Sequence, residues 1–237
     1  TAAMKILGGD VDVDNFLLTT RSNIIDMKVT LTENKVKAIK DKYMSTFFYG
    51  DATTDTKSFS GLEVLIASTT YNTVNAGSGT GTALSVAKLR QAIDLITGVQ
   101  PHYIIMTKTM RRGISVYLDS IGDKFPRTAD QWGKNFPSWD GFPVLVDDNL
   151  LNTETAASGA YSAKTGGANT TIFIVHFAPQ GVCGISSPER IQTENLGALE
   201  TKDAQRVRIK WYCGLKFEHL RYSAKVDGIV AAGTVTA

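Results

Sequence analysis

The glycine-rich stretch NAGSGTGTALS is the first candidate for chemistry, because closely spaced glycines let a backbone approach a phosphate group. Gly77, Gly79 and Gly81 alternate with small residues. A P-loop requires Lys and then Ser or Thr directly after its last glycine, but Thr82 and Ala83 follow here. The dinucleotide-binding fingerprint requires a third glycine where Thr82 stands. We therefore expect a flexible connection here rather than a nucleotide site.

The histidines and cysteines lack the spacing of a metal or nucleophile site. His102, His176 and His219 lie in or beside apolar segments, and the sequence contains no His-x-x-x-His, Cys-x-x-Cys or G-x-S-x-G pattern. A nucleophile set assembled only in three dimensions stays open. Cys183 and Cys213 are too few for a disulfide framework and are predicted to be buried free thiols. We predict no catalytic residue, no metal site and no cofactor.

Charged clusters supply the other candidates. Asp147 and Asp148, with Asp140 nearby, are able to ligate a cation, although turn and strand-end roles are more common for such residues. Arg111 and Arg112 are adjacent cations that are able to contact phosphate. Neither pattern has a spacing specific enough to assign a function.

A third basic group has strand periodicity. Arg206, Arg208 and Lys210 alternate with apolar residues, which places the cations on one face of a half-buried strand. That charged face is equally suited to solvent and to an acidic patch on a neighbouring subunit, with phosphate contact a weaker alternative.

The composition describes a folded chain with little excess charge. The 237 residues are 43% hydrophobic, which suits one large domain or two closely associated subdomains. The net charge of +2 does not predict strong binding to nucleic acid or membranes. Charged residues make up 20%, a low share that is consistent with surface buried in subunit contacts. No signal peptide, internal repeat or run of roughly 20 apolar residues is visible.

The elements that must position these residues begin with an extended segment and a long helix. Residues 1–20 are predicted to be extended, with a bend or bulge at Gly8–Gly9. An apolar stripe predicts a helix over about 24–48. Thr30 and Glu33 have the spacing of a capping box, at which the helix either begins or is kinked. Gly50 suits the left-handed residue just past the helix end.

Helices and strands alternate in the rest of the chain. A second helix begins after Ser85 and ends before Gly98, and a long irregular loop covers about 120–140. A long hairpin is predicted near the end of the chain, with its tip around Leu196–Asp203. The remaining apolar segments are assigned as strand, helix, strand and strand in the order HYIIMT, KTMRRGISVYLDSIG, FPVLVDDNLL and TTIFIVHFA.

This succession resembles the major capsid proteins of tailed double-stranded DNA bacteriophages, which have the Hong Kong 97-type fold. The resemblance rests on a long helix ending in FFYGD, then FSGL, YIIM, WDGFPVLVDD, TIFIVHFAPQGVCGI and RVRIKWYCGLKFEHLRYSAKVDGI in that order. It covers about residues 10–230. It implies an α+β fold with a long spine helix, a peripheral-domain hairpin and a mixed axial domain.

The resemblance also implies a division of the chain. Residues 1–21 correspond to the end of the extended loop or N-terminal arm, and about 20 residues are too few for both. The remainder is expected either upstream of Thr1 or in reduced form. Residues 22–98 and 186–220 are expected to be mainly peripheral, and residues 99–185 and 221–237 mainly axial.

Particular residues acquire roles through this resemblance. Gly50 and Asp51 mark the end of the spine helix, and Gly61 and Leu62 mark the return of the chain onto the axial domain. Other joints and candidate subunit contacts are Gly141, Pro143, Arg206, Arg208 and Lys210. Residues 120–140 are expected near a capsomer axis, and the hairpin tip near threefold contacts.

The function implied is structural. Copies of the chain are expected to form hexamers and pentamers of an icosahedral virion shell, assembled in the host cytoplasm around double-stranded DNA without reading its sequence. Expected partners are the chain itself and scaffolding, portal and decoration proteins, with no membrane. An encapsulin-like compartment shell is the nearest alternative, and an α/β enzyme with an unrecognised site is the alternative from another class.

Overall fold

The computed structural model describes residues 4–21, 26–67, 71–77, 81–124, 126–129, 133, 135–155 and 166–236. Its helices are α1 Asn15–Arg21, α2 Met27–Tyr49, α3 Leu62–Leu65, α4 Val86–Asp94 and α5 Lys108–Ser120. Its strands are β1 Lys5–Asp14, β2 Thr73–Asn75, β3 Leu84–Ser85, β4 Tyr103–Met106, β5 Arg127–Ala129, β6 Asn135–Trp139, β7 Phe142–Val146, β8 Asn169–Val175, β9 Val182–Ala198, β10 Ala204–Phe217, β11 Ala224–Val230 and β12 Val235–Thr236.

The long helix α2 confirms the predicted spine helix, but its start differs from the prediction. Residues 24 and 25, which the prediction included, lie outside the described residues. The N-cap is Asp26, whose side chain accepts from the backbone N–H groups of Lys28 and Val29. The predicted capping box at Thr30 is therefore wrong. The Asp26 carboxylate, four residues earlier, already accepts hydrogen bonds from the first backbone N–H groups of the helix.

A three-stranded sheet packs beside α2. Its order is β1-β10-β9, and all its pairs are antiparallel. The register of β1 on β10 runs from Lys5–Cys213 to Asp14–Ala204 without a shift, so the predicted bend at Gly8–Gly9 is wrong. The chain leaves β1 into helix α1, whereas the sequence pattern predicted extended structure to residue 20.

A seven-stranded mixed sheet forms the centre of the fold, in the order β2-β11-β8-β4-β7-β6-β5. The loop predicted over 120–140 is partly wrong, because its later part forms the antiparallel β5–β6 pair. Asp140 and Gly141 join β6 to β7, and both have positive φ, 47° and 87°. Two consecutive residues with positive φ form a two-residue hairpin turn whose twist matches that of the flanking strands. Gly141 is therefore a hairpin turn residue.

The central sheet carries a core on each face. On β8, Ile172 and Ile174 belong to one cluster with residues of α4 and α5, while Phe173 and Val175 face a second cluster with the end of α2 and α3. Burial on both faces explains why β8 reads as a continuous apolar run. The expected division into peripheral and axial parts stays a prediction, and β2 and α4, placed in its peripheral part, lie on the central sheet.

Candidate functional site

The joint between α2 and α3 is built from two close backbone approaches. The Gly50 N–H donates to the Thr46 carbonyl oxygen at 2.7 Å, and the Gly61 N–H donates to the Gly50 carbonyl oxygen at 2.8 Å. A Cβ at Gly50 would lie 2.2 Å from the Phe59 carbonyl oxygen, and one at Gly61 would lie 2.5 Å from that of Thr46. Gly50 is extended, with φ −62° and ψ 138°. The predicted left-handed conformation is therefore wrong, and glycine is needed here for space.

The loop between these glycines is organised by Asp51. Its carboxylate accepts from the Thr53 N–H at 2.9 Å and from the hydroxyls of Thr53 and Thr54 at 2.6 and 2.5 Å. These hydrogen bonds hold the pKa of Asp51 at about 2. At the other end, Leu62 starts α3 and is fully buried. The polar loop is thus an ordered turn that returns the chain to the core.

A buried hydrogen-bond group lies beneath this joint. The Tyr49 hydroxyl donates to the Glu154 carboxylate and accepts from the Leu151 N–H at 2.9 Å. The Thr171 hydroxyl, on β8, donates to the other Glu154 oxygen at 2.5 Å. Glu154 is only 1% exposed, and burial raises its pKa to about 7. Burial also raises the pKa of Tyr49. The last residue of the spine helix is therefore fixed to the central sheet by polar contacts.

A buried ion pair joins α3 to the same sheet. Lys225 Nζ lies 2.5 Å from Glu63 Oε1 and 3.9 Å from Asp227 Oδ2, and all three side chains are fully buried. Lys225 and Asp227 share one side of β11 because they are two residues apart. Burial raises the pKa of Asp227 to about 6. Together, these contacts hold the return segment of the joint on the central sheet.

Sequence analysis missed these buried groups. The available signal was a charged residue inside an apolar segment: Glu63 interrupts GLEVLIA, while Lys225 and Asp227 alternate with apolar residues in AKVDGIV. Ionised side chains are seldom fully buried unless they are paired. That pattern predicts partners in the fold, but it does not say which residues they are.

The charged face of β10 pairs with β1. Arg206 makes a bidentate contact with Asp12 at 2.6 and 2.8 Å, and Arg208 does the same with Asp10 at 2.8 and 2.9 Å. The hydrogen bonds from Arg206 and Arg208 hold the pKa of Asp12 and that of Asp10 below their usual values. The acidic patch foreseen on a neighbouring subunit is thus present within the chain.

The remaining cation of that face is paired as well. Lys210 lies 2.8 Å from Glu194 of β9. Val207 and Ile209 point into the protein and are 3% and 0% exposed, which confirms the predicted alternation. The role of Arg206, Arg208 and Lys210 in subunit contacts stays a prediction.

The three histidines, distant in sequence, meet at one surface. The rings of His102 and His176 stack at 4.2 Å, and His219 stacks on Tyr222 at 4.3 Å. His176 Nδ1 lies 2.7 Å from the Gln100 carbonyl oxygen. Within the described ranges, no three His, Cys, Asp or Glu side chains are placed to hold a metal ion.

Of the other sequence candidates, Arg111, Asp147 and Asp148 line one cavity. Asp140 pairs with Arg90 at 3.3 Å, and Asp148 pairs with Lys108 at 2.7 Å. Asp147 accepts from the Asn149 N–H at 2.8 Å, as in a turn. Of the glycine-rich stretch, residues 78–80, which include Gly79, lie outside the described residues.

The thiols are both free, but only one is fully buried. Cys213 is 1% exposed, and burial raises its pKa to about 11. Cys183 is partly exposed, so its predicted burial is wrong. In the part of the chain that the structure describes, no helix is long and apolar enough to cross a membrane.

Sequence comparison finds no relative: no protein-family model and no curated protein matches the chain. Structure comparison, in contrast, finds similar chains. The holo-SrpI encapsulin complex from Synechococcus elongatus PCC 7942 contains a chain that is 16% identical, with a TM-score of 0.75; the match covers 99% of this chain and 77% of that one.

Phage-like capsids match over a similar length. The capsid chain of the native GTA particle is 12% identical, with a TM-score of 0.65 and coverage of 97% of this chain and 74% of that one. The capsid chain of Myoviridae phage XM1 is 15% identical, with a TM-score of 0.60 and coverage of 95% and 74%. The long helix, the three-stranded hairpin sheet and the central mixed sheet are thus arranged as in these shells, and the chain has the Hong Kong 97-type capsid fold.

Proposed function

We propose that the protein is a major capsid protein whose copies associate as hexamers and pentamers of an icosahedral shell enclosing double-stranded DNA. The observation that carries this proposal is the match to capsid chains over 95–97% of the sequence, which leaves no segment for a separate catalytic domain within it. Assembly of such a shell is driven by the burial of apolar surface between identical subunits. The protein is then structural and not an enzyme.

The joint suits a shell subunit. The backbone contacts of Gly50 and Gly61 close the turn at the end of the long helix, and the hydrogen bonds of Tyr49 and Thr171 to Glu154 fix that end to the central sheet. The paired cations Arg206 and Arg208 stiffen the β1–β10 pair beside that helix. Scaffolding, portal and decoration proteins are the further partners expected for such a virion shell, and its assembly is expected in the host cytoplasm.

An encapsulin-like compartment is the second candidate, because a specific observation favours it. The TM-score with the encapsulin chain is 0.75, against 0.65 and 0.60 for the GTA and XM1 capsid chains. A compartment of this kind would enclose a cargo protein in place of DNA. Both kinds of shell are built from chains with this fold, so the enclosed material distinguishes them.

Electron microscopy of the purified protein, expressed alone and with the products of its neighbouring genes, tests the proposal. Closed shells or rings of five and six subunits are expected. Shells that contain nuclease-protected DNA support the capsid, and shells that contain a protein support the compartment. A uniform monomer or dimer under every condition would contradict both.

A further inference from the structure

A basic groove lies between helix α5 and the β5–β6 hairpin. It encloses about 640 Å³ and is lined by Lys108, Arg111 and Arg112 from α5, and by Arg127 and Asn135 from the hairpin. All five residues are exposed. No acidic side chain lines the groove among the described residues, so four cations share one open cavity.

Three of these cations have no carboxylate partner within the described part of the chain. Lys108 lies 2.7 Å from Asp148. By contrast, among the residues that the structure describes, Arg111, Arg112 and Arg127 have no carboxylate within 4.0 Å. Three other surface arginines pair with aspartates: Arg206 and Arg208 make bidentate contacts, and Arg90 pairs with Asp140. The groove therefore retains a positive potential in a protein whose net charge is only +2.

The position of these cations on α5 strengthens that potential. Lys108, Arg111 and Arg112 are the first, fourth and fifth residues of α5, which has no acidic residue in its first turn. The N-terminal end of a helix carries a partial positive charge, so cations there destabilise it and anions stabilise it. Asp148 compensates Lys108, and Arg111 also lines a neighbouring cavity with Asp41 and Asp147. Because no carboxylate of the described residues lies within 4.0 Å of Arg111 or Arg112, these two cations suit a ligand that supplies negative charge.

We propose that this groove binds the phosphodiester backbone of nucleic acid enclosed by the shell, independently of base sequence; the inference rests on the proposed capsid function. The planar guanidinium forks of Arg111, Arg112 and Arg127 match phosphate oxygens. A groove lined by four cations and by no acidic side chain of the described residues is complementary in charge to a polyanion. A few such contacts give weak, salt-dependent binding, suitable for holding a packed genome without trapping it.

Binding of a fluorescein-labelled DNA duplex to the full chain, followed by anisotropy across a series of salt concentrations, tests the groove. The triple variant R111Q/R112Q/R127Q removes three charges from it. The matched control K37Q/K42Q/K57Q removes three charges from exposed lysines elsewhere. Each lost phosphate contact reduces the slope of log K against log salt by about 0.9, so the groove variant is expected to lose about 2 to 3 in slope.

The control is expected to keep nearly the parental slope. The charge-preserving variant R111K/R112K/R127K is expected to keep most of it, which separates lost charge from misfolding. Equal losses in the groove variant and the lysine control, or no loss in either, would overturn the proposal. So would a groove variant that binds DNA as the parent does but no longer forms shells, because the groove would then contact an acidic segment of a second copy.

Electron microscopy of the same samples keeps the two proposals apart. DNA binding that depends on the groove in a protein that forms no shells would defeat the shell function and leave the groove as a nucleic-acid site. Shells that form normally, with DNA binding insensitive to all three variants, would defeat the groove and leave the shell function intact.

Discussion

The backbone N–H of Gly61 donates a hydrogen bond to the carbonyl oxygen of Gly50 at 2.8 Å, so the loop between them closes on itself at its base. The chain leaves the long helix and re-enters the core at the same point. The two backbones approach so closely that neither residue has space for a side chain. The joint therefore depends on the absence of a Cβ at two positions.

Alanine at either glycine is expected to destabilise the protein. Gly61→Ala would place a Cβ 2.5 Å from the Thr46 carbonyl oxygen, and relief requires the backbone to shift. Overpacking of this kind costs about 1–3 kcal/mol of unfolding free energy or more. Gly184→Ala is the control, because its nearest neighbour would be the Tyr43 hydroxyl at 3.7 Å. Denaturant unfolding measures both variants, and equal midpoints for the two would contradict the role of the joint.

Stability is expected to fall as the pH rises from 5 to 8. The pKa of Glu154 is raised from 4.5 to about 7, so in this window the folded protein holds a proton that the unfolded chain has released. Stability from this group is complete at low pH and is lost as the pH rises through about 7. At about 1.4 kcal/mol per pKa unit, the loss is about 3 kcal/mol. The pKa of Asp227 is raised to about 6, so this carboxyl group changes the stability in the same direction.

Thermal unfolding across this pH range tests the assignment. Glu154→Gln, which cannot ionise, is expected to remove most of the pH dependence. Glu200→Gln, at an exposed position, is expected to leave it unchanged. A parental protein whose stability rises between pH 5 and 8 would show that Glu154 is ionised throughout.

Breaking the buried ion pair is expected to be costly, whereas replacing it is not. Lys225→Met leaves the Glu63 carboxylate buried without its cation, at a cost of about 3–5 kcal/mol of unfolding free energy. The double variant Glu63→Met with Lys225→Met is expected to be more stable than the single variant. Lys216→Met, which breaks an exposed pair with Glu218, is the control and should cost under about 1 kcal/mol. Calorimetry that finds the double variant worse than the single would contradict this account.

The charge pairs between β1 and β10 are expected to contribute little each. The Arg208 and Asp10 side chains are 39% and 30% exposed, so solvent screens their attraction. A double-mutant cycle with Arg208→Gln and Asp10→Asn should give a small coupling energy that decreases further at high salt. A coupling that is large and insensitive to salt would mean that the pair is buried in the assembled protein.

The histidine cluster is expected to be dispensable for assembly. His102 and His176 stack on each other, and His219 stacks on Tyr222. No three His, Cys, Asp or Glu side chains of the described residues are placed to hold a metal ion. Single changes to alanine should leave shells visible by electron microscopy. Soluble, folded variants that never assemble would assign this surface to a subunit contact.

Local patterns in the sequence predicted much of the fold. The stripe of α2, the apolar runs of β4 and β8 and the alternation of Arg206 and Arg208 all reflect which face of an element is buried, and that periodicity is written in neighbouring residues. The resemblance to capsid proteins, in turn, predicted Gly50 and Gly61 as the ends of a joint. It did not give the reason, because the clash that excludes a side chain comes from residues brought close by the fold.

Tertiary structure alone decided the partners. Lys225 meets Glu63 across 162 positions and Arg208 meets Asp10 across 198, and no local period relates residues so far apart. The same holds for the stacked His102 and His176. By itself the sequence determined the long helix, the buried apolar strands and the order in which they follow one another. The close packing of those elements determined which charges are neutralised and which cations of α5 remain open, because pairing depends on distance in space.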